Sequence, residues 1–265
     1  MQLVELQRNV HGPNGHEVAV FAVSYDPVEV LAEFAAKHDI SYPLLGDVGS
    51  IAITELGLLN TGVESERAYW GRAMEDRHRG LPYPGTFLLD ADGVVVEKLF
   101  ERSHRLRPGG KLLLDHFDLD TGESPEIVAA DGPGLSVAAW VDTPEYFPNQ
   151  LNRLTVRLGL ADGLHVYVPP NPPGFIDLEI EIDPPNGVFV HPHEMPTGHS
   201  FEVEGLPEEF TVAEGEFEVV IPFYVLEDSG ELALPVKIKY QACSETTCHA
   251  PDSVELVIDL KEVRA

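Results

Sequence analysis

Near residue 120 the period of the apolar pattern changes, and that change restricts the chain to two folds of different kinds. Before it, short apolar runs alternate with segments whose apolar residues recur at three- and four-residue spacing, the pattern of strands and amphipathic helices. After Asp118-Leu119-Asp120-Thr121-Gly122 the helical spacing vanishes. Apolar residues then recur at every second position, as in Leu178-Glu179-Ile180-Glu181-Ile182. A period of two places one strand face in a core and the other in water. The 265 residues suffice for two ordinary domains, taken here as 1–122 and 123–265.

In the first half, Glu17-Val18-Ala19-Val20-Phe21-Ala22-Val23-Ser24 predicts a strand buried on both faces. Asp26-Pro27 opens a helix carrying Val30, Leu31, Phe34 and Ala35, which breaks near Ile40. Further helices are expected over Ser50 to Leu58 and, with polar composition, over Glu64 to His78. Thr86–Asp90 and Val94–Phe100 flank Ala91-Asp92-Gly93 as a β-hairpin, and a last helix carries Leu112, Leu113, Leu114 and Phe117. The whole reads as a mixed α/β layer.

The second half predicts about seven strands: Leu135–Val141, Asn152–Leu160, His165–Val168, Ile176–Ile182, Phe217–Leu226, Leu232–Tyr240 and Val254–Leu260. Turn signals between them imply an antiparallel sandwich. Pro169 to Pro196 holds eight prolines in 28 residues, and Pro offers no ladder donor. A pair of structured loops flanking one edge strand is expected there.

Charge excludes whole classes of partner. Lys and Arg number 17 against 45 Asp and Glu, a formal net charge of -28. Such a chain lacks the basic face that meets nucleic-acid phosphates or an anionic membrane, and no apolar run is long enough to span a bilayer. Residues 1–122 hold 11 basic and 19 acidic side chains, and residues 123–265 hold 6 and 26. Only six cations are Lys, so the acidity also fits adaptation of a surface to salt. Met1-Gln2-Leu3-Val4-Glu5-Leu6-Gln7-Arg8 lacks the basic and apolar regions of a signal peptide, which by itself implies the cytoplasm.

The two cysteines, Cys243 and Cys248, lie in Tyr240-Gln241-Ala242-Cys243-Ser244-Glu245-Thr246-Thr247-Cys248-His249-Ala250-Pro251. They flank a hairpin connection that could bring their Cα atoms within the ~4.4–6.8 Å a disulfide spans. A bridge around so short a loop removes little unfolded-state entropy, so a reversible redox pair explains it better than a staple does. Two alternatives stay open. One is an inert pair, and the other is a copper or zinc site joining Cys243, Cys248 and His249 with His191, His193 or His199. Surrounding negative charge raises a thiol pKa and repels anionic thiols such as glutathione, which points to a dedicated protein partner.

At these residues the second half, from about residue 130, resembles the N-terminal domain of the thiol:disulfide interchange protein DsbD. Lys237-Ile238-Lys239-Tyr240-Gln241-Ala242-Cys243, with Cys248 and a following Pro, carries the likeness. Gly163-Leu164-His165-Val166-Tyr167 and Pro222-Phe223 add to it. The resemblance implies an immunoglobulin-like sandwich whose cysteines exchange electrons with thioredoxin-like proteins in the periplasm. It makes Cys248 the attacked or attacking sulfur and Cys243 the resolving one, with Tyr240 and Gln241 in support. It also suggests Pro172-Pro173-Gly174-Phe175 as the counterpart of that family's aromatic cap loop.

The first half resembles the alkyl hydroperoxide reductase/thiol-specific antioxidant branch of the thioredoxin superfamily. Val20 to Asp26, Ile40-Ser41-Tyr42-Pro43-Leu44-Leu45-Gly46-Asp47 and Gly80-Leu81-Pro82-Tyr83-Pro84-Gly85-Thr86-Phe87 carry that likeness. Pro84 matches the family's cis-proline. The family's first strand and its Trp-Cys-x-x-Cys have no counterpart, and residues 1–242 contain no Cys. Two expectations follow: a start assigned at an internal Met, which is favoured because Pro84 and the hairpin are kept and which puts peroxidase chemistry and a periplasmic signal on a preceding segment, or a truncated, inactive thioredoxin-like domain.

Other motifs carry less. Ser24 and Ser103 lie in no nucleophile elbow, and Gly109-Gly110-Lys111 lacks phosphate-loop spacing. Asp90-Ala91-Asp92-Gly93 fits a hairpin turn better than a calcium loop. The cluster Arg67, Arg72, Arg77, His78 and Arg79 reads as a solvated helix face or a docking patch for the acidic half. The reading is therefore an N-terminally incomplete α/β thioredoxin-like domain followed by an all-β immunoglobulin-like sandwich. It exchanges thiols and disulfides through Cys243 and Cys248 with a thioredoxin-like or other dithiol protein, and its two domains are candidates to contact each other. No cofactor or metal is required, and a non-catalytic interaction module is the alternative.

Overall fold

The computed structural model describes residues 2–9, 18–69, 71–100, 106–109, 113, 125–143, 145–172, 174–202, 209–226 and 230–262. The chain divides into two compact units, Met1–Gly122 and Glu123–Ala265. No helix among the described residues is long and apolar enough to cross a membrane.

In the first unit, helix Gln2–Asn9 is tied to the segment before the second strand. The Tyr42 hydroxyl donates to the Leu3 carbonyl at 2.8 Å, and burial pushes the Tyr42 phenol up to about 12. Strand Ala22–Ser24 pairs in parallel with Leu44–Gly46. It is shorter than the predicted run and is not buried on both faces, since Phe21 and Val23 are 62% and 47% exposed. Only one strand pairs with it among the described residues. Helix Val28–Lys37 forms where Asp26-Pro27 predicts it, with Leu31 buried.

The helix expected over Ser50–Leu58 forms as Ile51–Glu55, and Asp47 rather than Ser50 caps it. The Asp47 carboxylate accepts from the backbone N–H of Ile51, Ala52 and Ile53 at 3.0, 3.2 and 2.9 Å. Those bonds, that from Ile53 foremost, hold its pKa below the ordinary value. The polar helix expected over Glu64–His78 is broken: Val63–Tyr69 is helical, Gly71 turns at φ 64°, and Asp76–His78 is a separate 3-10 turn. The left-handed Gly71 ends the helix by turning the Arg72 N–H back onto the Arg67 carbonyl, at 2.7 Å. Strands Gly85–Leu89 and Val95–Phe100 form the predicted hairpin, and Asp90 Oδ1 accepts from the backbone of Asp92 and Val94 across the turn. The predicted helix over Leu112–Phe117 lies, apart from Leu113, outside the described residues.

Among its described residues the second unit holds strands joined by turns and loops, with no helix. One sheet runs in the order Val188–Val190, Glu216–Val225, Gln150–Leu160, Leu135–Val141, Val128–Gly132, all antiparallel. A second runs Glu179–Ile182, Leu232–Tyr240, Asp252–Glu262, with Glu145–Tyr146 added in parallel at the far edge. Alternation decides their packing. Leu135, Val137, Ala139 and Val141 on one sheet and Leu234, Val236, Ile238 and Tyr240 on the other are buried in a single core. Their intervening residues face outward, so the two sheets pack through one apolar face each.

A third sheet, which the seven-strand reading lacks, has the order His199–Glu202, Glu209–Glu214, His165–Tyr167, Ala242–Cys243. Its last strand continues Leu232–Tyr240 after one residue, Gln241. The Pro-dense stretch holds two edge strands, Glu179–Ile182 and Val188–Val190, rather than one. Asn171 pins the loop before them: its Nδ2 donates to the Val168 carbonyl and to Asp177 Oδ1 at 2.6 and 2.7 Å, and its Oδ1 accepts from Thr211 N–H at 3.1 Å.

Leu158 is fully buried in the shared core. Leu158→Ala should lower the stability of the second unit by ~2–5 kcal/mol, the range for a Leu truncation that leaves a cavity. The urea midpoint of its unfolding reads that loss.

Candidate functional site

The third sheet is two-faced, and that property builds the site. Val166, Ala213 and Ala242 point one way and belong to the main core. Their neighbours Tyr167, Val212 and Cys243 point the other way and form a second cluster with Phe210, against which Phe175 and Phe201 pack. Side chains at directly paired antiparallel positions share a face. His165 pairs with both Cys243 and Glu214, Tyr167 and His199 with Val212, and Phe201 with Phe210. One face of this small sheet thus gathers an aromatic layer, two histidines, a glutamate and a cysteine.

Cys243 and Cys248 form a disulfide. The backbone bonds Ser244 N–H to Thr247 O at 2.8 Å and His249 N–H to Ala242 O at 2.9 Å flank the pair. These bonds make the cysteines a non-hydrogen-bonded antiparallel pair, the type in which Cα atoms approach most closely. Their Cα atoms lie 3.9 Å apart, closer than the separation expected from the sequence. The two cysteines are in unlike surroundings, because Cys243 is 0% exposed while Cys248 is an exposed residue of the loop. Phe175 completes the apolar side, its ring centroid 4.5 Å from Phe210 and 5.2 Å from Tyr167.

The supporting residues divide. Gln241 Nε2 donates to the His249 carbonyl at 2.9 Å and closes the base of the cysteine loop. Tyr240 faces the main core instead: it is 1% exposed, and its hydroxyl donates to the Pro133 carbonyl at 3.3 Å. Burial raises the Tyr240 phenol above its ordinary value, and Asp252 adds to the rise. Tyr240 anchors the strand that carries Cys243 and does not face the disulfide. Pro84, matched from sequence to a cis-proline, is buried, but the cis bond among the described residues is Pro169–Pro170. The segment before Pro84 is tied down by a bridge between Leu59 and Pro82 and by Tyr83 N–H, which donates to the Leu58 carbonyl at 2.6 Å.

The metal alternative finds no assembled ligand set. Among the described residues no three of His, Cys, Asp and Glu are placed to hold a metal ion. His199 instead lies with its Nε2 3.7 Å from Glu214 Oε1. In the basic cluster of the first unit, Arg67 donates to the Ala73 carbonyl and lies 3.8 Å from Glu75, and Arg79 lies 3.4 Å from Asp76. His165 was not a candidate from sequence, although it stands within Gly163-Leu164-His165-Val166-Tyr167. It is 2% exposed, and its Nε2 has no hydrogen-bond partner among the described residues. Nothing in a strand of alternating residues says which neighbouring strand lies opposite.

Comparison with known proteins follows the same division. Residues 1–98 match the model of the AhpC/TSA family. Residues 138–259 match that of the thiol:disulfide interchange protein DsbD, N-terminal. The reduced DsbD N-terminal domain of Neisseria meningitidis is similar at 22% identity and TM-score 0.31, over 41% of this chain and 77% of that one. The N-terminal periplasmic domain of ScsB from Proteus mirabilis is similar at 18% and TM-score 0.35, over 50% of this chain and 49% of that one. A complex of the DsbD and PilB N-terminal domains from Neisseria meningitidis contains a chain similar at 20% and TM-score 0.30, over 40% of this chain and 73% of that one. Among curated proteins there is no match.

Tyr240→Phe removes one buried hydrogen bond and should cost ~0.5–1.5 kcal/mol while leaving the disulfide's reduction rate unchanged. A urea titration and a dithiothreitol reduction time course on the same variant separate the two effects.

Proposed function

We propose that this chain is a thiol-disulfide exchange protein, in which the second unit passes electrons through Cys243 and Cys248. The observation that carries this reading is the asymmetry of the disulfide, with one cysteine an exposed residue on a short loop and the other buried against an aromatic layer. The two family matches, both of redox families, support the same class of chemistry. On this reading the units are a thioredoxin-like domain and a DsbD-like domain of immunoglobulin-like type. The partner is a thioredoxin-like dithiol protein.

Exchange starts when a partner thiolate attacks Cys248 Sγ. The new bond joins the partner's sulfur to Cys248, the Cys243–Cys248 bond breaks, and its electron pair leaves on the Cys243 sulfur. The partner's second thiolate then attacks its own sulfur in the mixed disulfide and expels Cys248 as thiolate. Two electrons have moved to this chain, the partner is left as a disulfide, and solvent returns the protons. Cys243 cannot be the first target, because a thiolate must approach the sulfur it attacks and Cys243 is 0% exposed. In the reverse direction Cys248 attacks and Cys243 resolves.

The acidic surface of this unit, 26 carboxylates against 6 cations over residues 123–265, disfavours small anionic thiols by simple repulsion. A protein partner supplies its own surface to overcome that repulsion. Peroxide reduction has no thiolate available in residues 1–242, which contain no cysteine.

Two measurements test the reading. With a neutral aromatic disulfide as probe, Cys243→Ser, which keeps Cys248, should react at least about tenfold faster than Cys248→Ser, which keeps Cys243, because rate follows access to the sulfur. The oxidised chain should be reduced much faster by a thioredoxin-like dithiol protein than by glutathione at equal thiol concentration. Equal rates with both reductants, or a reduction potential well below about -300 mV, would mark the bridge as structural and the chain as a non-catalytic interaction module.

A further inference from the structure

Opening the disulfide leaves a sulfur with developing negative charge at Cys243, in apolar surroundings. Cys243 is 0% exposed and packs with Tyr167, Phe210 and Val212. A thiolate in such surroundings is raised in energy by desolvation unless a donor meets it. The structure offers one donor directly across the ladder. His165 pairs with Cys243 on the adjacent antiparallel strand, so the two side chains leave the same face at neighbouring positions. The imidazole is 2% exposed, and its Nε2 is buried without a hydrogen-bond partner among the described residues. A buried polar nitrogen left unpaired is costly, and a partner present only in the reduced state removes that cost.

We propose that His165 is the hydrogen-bond partner of the Cys243 sulfur in the reduced protein, which stabilises that sulfur as the leaving group when the disulfide opens. The inference rests on the redox reading above. The ring is held in place for this by Phe201, with centroids 4.4 Å apart, and by Tyr167, edge-on at 5.5 Å. Every titratable group paired around it bears on the balance. Glu214, directly opposite His165 on the other side, favours a protonated ring and opposes a thiolate, whereas His199 disfavours a second cation and itself lies 3.7 Å from Glu214. Tyr167, on the same strand, is held protonated by burial, which raises its phenol. Burial dominates at His165 and holds its imidazole below the ordinary value, so near neutrality the ring is uncharged and can offer one N–H without placing a second charge in the pocket. The step transfers no proton: Nε2–H donates to the sulfur that receives the electron pair from the broken S–S bond.

The test isolates Cys243. In Cys248→Ser the chain has a single thiol, whose ionisation is read from thiolate absorbance near 240 nm as a function of pH. Adding His165→Phe should make that thiol hold its proton about tenfold more tightly. Adding His165→Gln, whose amide can still donate, should restore part of the difference. In the otherwise native chain, His165→Phe should shift the equilibrium with dithiothreitol about tenfold toward the disulfide, which is ~30 mV. Should His165→Phe fail to fold, the Gln variant and the imidazole ¹⁵N signals of the native chain decide: the His165 Nε2 signal must differ between oxidised and reduced protein. Identical thiol titrations with and without His165, or an unchanged Nε2 signal on reduction, overturn the proposal. A pair that no dithiol reduces defeats the redox reading instead, and the single-thiol titration still reports on His165.

Discussion

The two-residue alternation of a strand, applied to one small sheet wedged against the main core, is the constraint on which the site depends. Val166, Ala213 and Ala242 are drawn inward with the core residues of both large sheets. Once they are, His165, Tyr167, Val212 and Cys243 have no choice but the opposite face. A slip of one residue would bury Cys243 in the main core and turn Ala242 toward the aromatic layer. The core therefore does more than stabilise the unit, because its packing decides which way the cysteine faces.

That arrangement divides labour between neighbouring residues. Strand Leu232–Tyr240 is a structural strand to its end, where Tyr240 is fixed from inside through the Pro133 carbonyl. Gln241 then clamps the loop base, and Cys243 and Cys248 close the loop from opposite sides of a tight antiparallel pair. Rigid support lies on the buried side of the disulfide and access on the other. An exchangeable disulfide needs both, since attack requires an approach path and resolution requires the second sulfur to stay close. The ion pairs of the outer surface add little to this, because Lys239 with Glu179 and Glu181, and Lys237 with Glu255, are solvent-exposed pairs.

Much of this was legible in the chain itself. The strands Leu135–Val141 and Leu232–Tyr240 follow the alternation residue for residue, and the hairpin around Asp90 to Gly93 follows from turn chemistry. The errors share a cause. Short strands such as Val188–Val190, His199–Glu202 and Ala242–Cys243 are too brief to show a period and exist because a longer neighbour offers them a ladder. The polar helix was overextended through Gly71 because helical spacing in charged residues is weak evidence where no core selects a face. The strand Ala22–Ser24, in which Val23 is exposed, reads as doubly buried in the sequence because apolar composition reports a preference for burial and not which faces are packed.

The sequence by itself determined the change of fold type near residue 120, the acidic surface and the identity of the only two cysteines, since each is a matter of local pattern or composition. Only the tertiary structure decided that Cys243 is the buried cysteine and Cys248 the exposed one, that Tyr240 faces away from both, and that His165 stands opposite Cys243. Those facts depend on strand register between segments nearly eighty positions apart in the chain. Register is set by how a whole core packs, which no stretch of neighbouring residues encodes alone.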